Sequence, residues 1–212
     1  MRTYKQPISK NTLQCENCGL VIGHCICDYE IRLESQVEFW LLTHENEFSR
    51  TNNTGRLIEN AIRTTRVFCW KRHDPPQDLL ELLKEYVVYL IFSADKEDDK
   101  KRVTDYKPSN KKIAFLILDG TWKEARKMIR KSEYLRSLPI LSLNPNEKTA
   151  YDLRRNNDVH HICTVEVGIE LLKLIGETDQ SESLKDYFNY YLEKYHAGKY
   201  EHREVKNDKT II

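Results

Sequence analysis

The chain reads as an α/β protein: a mostly parallel sheet with helices on both faces, preceded by a small N-terminal zinc-binding module. Three observations predict this. Residues 113–118 are continuously apolar, as in a strand buried on both faces, and runs of strand length recur at 87–92 and, with Glu38 the one polar residue, at 37–42. Stretches of helical period follow such runs, so strand and helix alternate along the chain. Four of the six cysteines crowd into Cys15-x2-Cys18-x6-Cys25-x-Cys27, ahead of the first strand.

The N-terminal module spans residues 1–35. Thiolates are preferred zinc ligands, and a two-residue gap lets both sulfurs of a knuckle face one tetrahedral ion. Cys15, Cys18, Cys25 and Cys27 complete such a site, which leaves no open position for catalysis. Gly19 and Gly23 help the chain fold back, and His24 is a spare ligand. Four reduced thiols in a loop are the plain alternative.

The main domain covers residues 36–197. Its first strand, 37–42, ends in Thr43-His44-Glu45-Asn46-Glu47. Arg50 to Leu57 then leads into a helix that runs through Ile62. Pro75 and Pro76 break the chain before a short amphipathic helix at 79–86. A second strand, 87–92, is followed by a charged segment, 95–112, that carries Pro108 and reads as an exposed loop. Strand 113–118 stops at Asp119-Gly120-Thr121-Trp122. The helix after it sets Trp122, Ala125, Met128 and Ile129 on one face, with Lys123, Arg126, Lys127 and Arg130 off it. Another strand is expected at 139–144, with Leu141 and Leu143. A loop with Tyr151, Arg154 and Arg155 reaches Cys163-Thr164-Val165-Glu166, which opens a helix through Leu174. A tyrosine-rich helix covers 184–195, and the polar tail 198–212 is expected to fray.

A strand that ends in a tight polar turn and opens a helix is where open α/β sheets bind ligands. Asp119 stands at the carboxyl end of that strand, and the helix start offers free N–H groups. The ordinary alternative is that Asp119 or Thr121 caps the helix and Trp122 is core. No GxGxxG follows any strand, so a dinucleotide site is not supported. With 34 basic and 33 acidic residues the net charge is +1, so nucleic-acid binding must rest on local basic faces. Three groups qualify: Arg50, Arg56, Arg63 and Arg66; Lys123, Arg126, Lys127 and Arg130; and Arg154 with Arg155. No segment has the length of a membrane span and the N-terminus lacks a signal-peptide pattern, so a soluble cytoplasmic protein is expected.

The turn Asp119-Gly120-Thr121-Trp122 followed by Ala125-Arg126-Lys127-Met128 resembles the signature of the DTW-domain family. Three further blocks agree in order: His44-x-x-Glu47 with Asn53-Thr54-Gly55-Arg56-Leu57; Leu138-Pro139 with Leu141-Ser142-Leu143; and Tyr151-x-Leu153-Arg154-Arg155 followed by Cys163-Thr164-x-Glu166. The family usually has proline after the histidine, where this chain has Glu45. The resemblance implies a SPOUT-like fold with a trefoil knot, and a tRNA-uridine aminocarboxypropyltransferase that uses S-adenosylmethionine. Its product would carry the 3-amino-3-carboxypropyl group on uridine N3, at tRNA position 47 as the first choice, with 5′-methylthioadenosine released. Which carbon of the sulfonium faces the nucleophile decides which group leaves. A SPOUT-type methyltransferase and a non-catalytic zinc-containing RNA-binding module are the alternatives.

Residue roles follow from the resemblance and the chemistry together. Asp119, Thr121 and Trp122 are the candidate catalytic residues. Asp119 either takes the N3 proton, which requires burial to raise its pKa, or stabilises the cationic substrate. Trp122 offers an indole face to the sulfonium or adenine. Thr43, His44, Leu118, Gly120, Leu141, Leu143, Tyr151, Cys163, Thr164 and Glu166 complete the expected cofactor site. Cys163 has no evident base partner and is not expected to be a nucleophile.

Overall fold

The computed structural model describes residues 14–94, 96–143 and 162–208, with 200–208 described by backbone alone. Five strands, β1 (Glu38–His44), β2 (Thr65–Trp70), β3 (Val87–Ile91), β4 (Ile113–Asp119) and β5 (Ile140–Leu141), form one sheet. Their order is β2-β1-β4-β3-β5 and every neighbouring pair is parallel. The helices are α1 (Gly55–Ala61), α2 (Gln77–Glu85), α3 (Glu97–Lys100), α4 (Trp122–Lys131), α5 (Glu133–Arg136), α6 (Thr164–Leu174) and α7 (Thr178–Asp208).

Alternation of side chains along the strands divides the core in two. Phe39, Leu41, Phe115, Ile117, Tyr89 and Ile91 point to the face covered by α1, α6 and α7. Trp40, Leu42, Leu116, Leu118, Leu90 and Phe92 point to the face covered by α2, α4 and α5. Each of the seven residues of the central strand β4 is buried, Asp119 included. Burying an apolar side chain of this size contributes about 1.5–3 kcal/mol, as an upper estimate. That is why the run at 113–118 has no polar residue to spare.

α4 follows its sequence pattern: Ala125, Met128 and Ile129 are buried, while Lys123, Arg126 and Arg130 are exposed. Other expectations need correction. Residues 65–70 form β2, a strand the apolar-run criterion passes over because it is an edge strand in which only Phe68 and Trp70 are buried. Among the described residues, the strand expected at 139–144 pairs through Ile140 and Leu141, and residue 144 lies outside them. The charged segment after residue 95 contains the single-turn α3. The final helix begins at Thr178 and its backbone is helical to Asp208, longer at both ends than the 184–195 expected. Among the described residues no helix is long and apolar enough to cross a membrane.

Strand order locates the site. The chain leaves β1 toward β2 on one side and leaves β4 toward β5 on the other, with α1 and α4 on opposite faces. The carboxyl ends of β1 and β4 therefore flank the topological switch point, where open α/β sheets bind their ligands. Thr43 and Asp119 are register partners at that place.

Candidate active site and metal centre

Asp119 is only 3% exposed. Its Oδ2 accepts hydrogen bonds from Thr43 Oγ1 at 3.1 Å and Asn53 Nδ2 at 2.8 Å, and its Oδ1 accepts from Thr164 Oγ1 at 2.8 Å. The carboxyl thus joins β1, the loop after β1 and the start of α6. Burial, then the neighbouring Glu47 carboxylate, raises its pKa, while Asn53, Thr164 and Thr43 pull it back. Glu47 is itself fully buried and accepts from the same Asn53 amide at 3.2 Å. Two buried carboxyls bridged by one amide are costly unless a cation is near. Arg50 supplies it: the guanidinium hydrogen-bonds Glu47 Oε1 and forms a bidentate pair with Glu124 at 2.8 and 2.9 Å.

Glu124 closes the capping box of α4. Thr121 Oγ1 accepts from Glu124 N at 3.3 Å, and Glu124 Oε2 accepts from Thr121 N at 2.8 Å and Thr121 Oγ1 at 2.7 Å. Burial opposes ionisation of Glu124, but Arg50 and Thr121 outweigh it and hold its carboxyl well below the usual carboxylate range. Thr121 thus caps the helix through both its hydroxyl and its N–H. Glu166 caps α6 in the same way, accepting from Cys163 N at 2.7 Å. Burial, followed by the Glu166 charge, holds the Cys163 thiol well above its ordinary value, so it does not form a nucleophilic thiolate at neutral pH.

His44 is 1% exposed and its ring lies 5.1 Å from that of Trp70. Its Nδ1 accepts from Asn46 N at 3.2 Å, which leaves the proton on Nε2. Burial lowers its pKa, so it is neutral at pH 7. Gly120 sits beside it: a Cβ there would lie 3.3 Å from Glu124 Cβ and 3.6 Å from His44 Cβ.

The expected cofactor-contact residues that the structure describes lie on both faces of the sheet. Trp122 is half-buried with its ring 5.5 Å from that of Phe92, on the α4 face with Leu118. Leu141, Leu143 and Cys163 pack on the α6 face. Tyr151, Arg154 and Arg155 lie outside the described residues.

The basic groups need revision. Arg56 is 2% exposed and donates to the carbonyls of Glu16, Phe48 and Arg50, so burial removes it from any RNA surface. Arg50 is held by Glu47 and Glu124, and acts as an internal strut. Arg63 is exposed and paired with Glu34, but it precedes β2 and stands at the amino end of the sheet. A strand of this length spans about 20 Å, which separates Arg63 from Asp119. Lys123 and Arg126 remain exposed on α4.

Sulfurs of Cys15, Cys18, Cys25 and Cys27 lie within 4.8 Å of one another, with Cys15–Cys27 at 3.5 Å and Cys18–Cys25 at 3.8 Å. A tetrahedron with Zn–S bonds of about 2.3 Å has edges of about 3.8 Å, so the donor set and its spacing can hold a zinc ion. Gly19, at φ +78°, makes the turn after Cys18, and a Cβ there would meet the Thr51 carbonyl at 2.4 Å. With the Arg56 bond to Glu16, this packs the cysteine module against the loop after β1.

Glu47, Asn53 and Glu124 were given no chemical role by sequence reasoning. The Thr121-x-x-Glu124 spacing is a capping-box signal that could have found the third. For Glu47 and Asn53 the nearby partners Arg50 and Arg56 give no pointer to the site, because the link to Asp119 spans 66 residues.

Fold and site together define a parallel α/β protein with a polar network at its switch point and a four-cysteine cluster able to ligate a metal. The DTW domain profile matches residues 12–196, and the chain belongs to the DTW-domain family, which is associated with tRNA-modifying enzymes. No solved structure matches the chain significantly.

Proposed function

We propose that this protein is a tRNA-uridine aminocarboxypropyltransferase that uses S-adenosylmethionine, with a SPOUT-like, knotted catalytic domain over residues 36–197. The profile match across the DGTW turn carries the reading. In the reaction uridine N3 loses its proton to solvent and bonds to the propyl carbon, the carbon–sulfur bond breaks with its electron pair going to sulfur, and neutral 5′-methylthioadenosine leaves. The half-buried Trp122 provides an aromatic face for the cationic sulfonium or adenine. Thr43, His44, Leu118, Gly120, Leu141, Leu143 and Thr164 form the rest of the cofactor wall. Asp119 acts as a positioning residue and fixed negative charge, because its oxygens are engaged by Thr43, Asn53 and Thr164. Lys123 and Arg126 face the RNA, and zinc on the four cysteines supports the module of residues 1–35.

The test is nucleoside mass spectrometry after incubating unmodified tRNA with the protein and S-adenosylmethionine. A mass gain of one aminocarboxypropyl group on uridine, reduced at least tenfold in a folded Asp119→Asn protein, is expected. A methyl gain with S-adenosylhomocysteine would replace this reading by a methyltransferase. No modification on any tRNA, with the protein folded, would leave a binding module.

A further inference from the structure

A cavity of about 450 Å³ opens between the end of β3, α3, the outer side of α4, and α5. Phe92 and Ile129 form an apolar floor, and the Phe92 ring lies 5.5 Å from that of Trp122, the last residue of the DGTW turn. Its walls are charged, and the charges do not cancel. Of the two acids, Asp98 is paired with Lys101 at 3.3 Å and Asp99 with Arg102 at 2.7 Å. Arg102 also donates to the carbonyls of Leu135, Arg136 and Leu138, each at 3.0 Å, and so fixes α3 against α5. Lys96, Arg126, Arg130 and Arg136 remain as further cations on the lining. Of these, Lys96, Arg130 and Arg136 form no ion pair among the described residues.

Such a lining selects by charge. S-adenosylmethionine has a sulfonium, an ammonium and one carboxylate, so its net charge is positive and this wall repels it. A phosphodiester is attracted, and release of its counterions adds to the affinity. An apolar floor beneath a cationic rim suits a nucleotide unit, with the phosphate on the rim and the base or ribose on Phe92 and Ile129. Arginine is suited to hold such an oxyanion through paired N–H donors.

We propose that this cavity binds a backbone phosphate of the RNA substrate, held by Arg130, Arg136 and Lys96, close to the nucleotide being modified. It deepens the tRNA reading above and depends on its RNA half alone. The test is titration of a fluorescent unmodified tRNA across a salt series, with wild type and Arg130→Gln/Arg136→Gln, without cofactor. The slope of log affinity against log salt should fall by about 1, for the one phosphate lost, with affinity at 0.1 M salt down roughly tenfold. Both side chains are exposed, so the melting temperature and S-adenosylmethionine binding should not change. Lys84→Gln/Lys111→Gln removes the same charge at the amino end of the sheet and should leave the slope as in wild type. Unchanged tRNA affinity in the arginine variant, or an equal loss in the lysine control, would overturn the proposal. So would binding of orthophosphate that the arginine variant abolishes while tRNA affinity stays constant. Absence of group transfer would count only against the enzymatic reading, since this assay uses no cofactor.

Discussion

Replacing Gly55 by alanine tests the packing around Asp119. Gly55 opens α1, and a Cβ there would lie 2.8 Å from Asp119 Oδ2, 3.0 Å from Asp119 Cγ and 3.1 Å from Asn53 Oδ1. The carboxyl cannot recede freely, because Thr43, Asn53 and Thr164 hold its two oxygens. Overpacking of this kind costs about 1–3 kcal/mol, and a disturbed hydrogen bond to a charged group adds about 1.5 kcal/mol. Helix propensity works the other way, by at most about 1 kcal/mol, and by less at the first helical position. The net is a loss of about 2 kcal/mol, which lowers the melting temperature of a chain this size by roughly 4–8 °C. Thermal unfolding followed by circular dichroism reads the shift, with the urea midpoint as a second measure. Gly23→Ala is the control, since nothing lies within 4 Å of its added carbon. A Gly55→Ala protein that melts at or above wild type would refute the geometry of the carboxyl hub.

Two further outcomes are expected. Chelation should remove a bound metal and lower the melting temperature, and Cys18→Ser should do the same without chelator; an unchanged melt with no metal bound would rule out the structural site. Glu124→Gln should destabilise by about 1–3 kcal/mol at pH 7, through the cap and the Arg50 pair. Because the folded state depresses the Glu124 pKa, its contribution is present above the unfolded value of about 4.3 and fades as pH falls below it. Urea denaturation of both proteins at pH 7 and at pH 4 and below should show the gap narrowing; a constant gap would show that the carboxylate charge is not what stabilises.

Sequence and structure agree where one residue's environment is set by its neighbours in the chain. The run at 113–118 is buried throughout, and the face of α4 follows from the spacing of Ala125, Met128 and Ile129. The four cysteines are close in space because they are close in sequence. The edge strand β2 is not legible as an apolar run because exposed Arg66 interrupts it, although Thr65, Val67, Phe68 and Trp70 are strand-favouring types. Arg56 misled for the opposite reason: arginine is almost always exposed, and nothing local reveals that main-chain carbonyls solvate this one. The Asp119 hub joins residues 45, 66 and 76 positions apart, so only strand order discloses it.

That strand order also constrains how the molecule can be made. β4 inserts between β1 and β3, both of which are synthesised earlier, so a chain emerging from the ribosome cannot close its sheet before residue 119 is available. Until then β1 and β3 expose the backbone groups that will pair with β4, which are open to pairing with other chains. The last residue of the strand that closes this gap is Asp119 itself. The strand that fills the centre of the sheet therefore also delivers the carboxyl of the candidate site, and Thr164, 45 residues further on, must still arrive before all three of its hydrogen bonds can form.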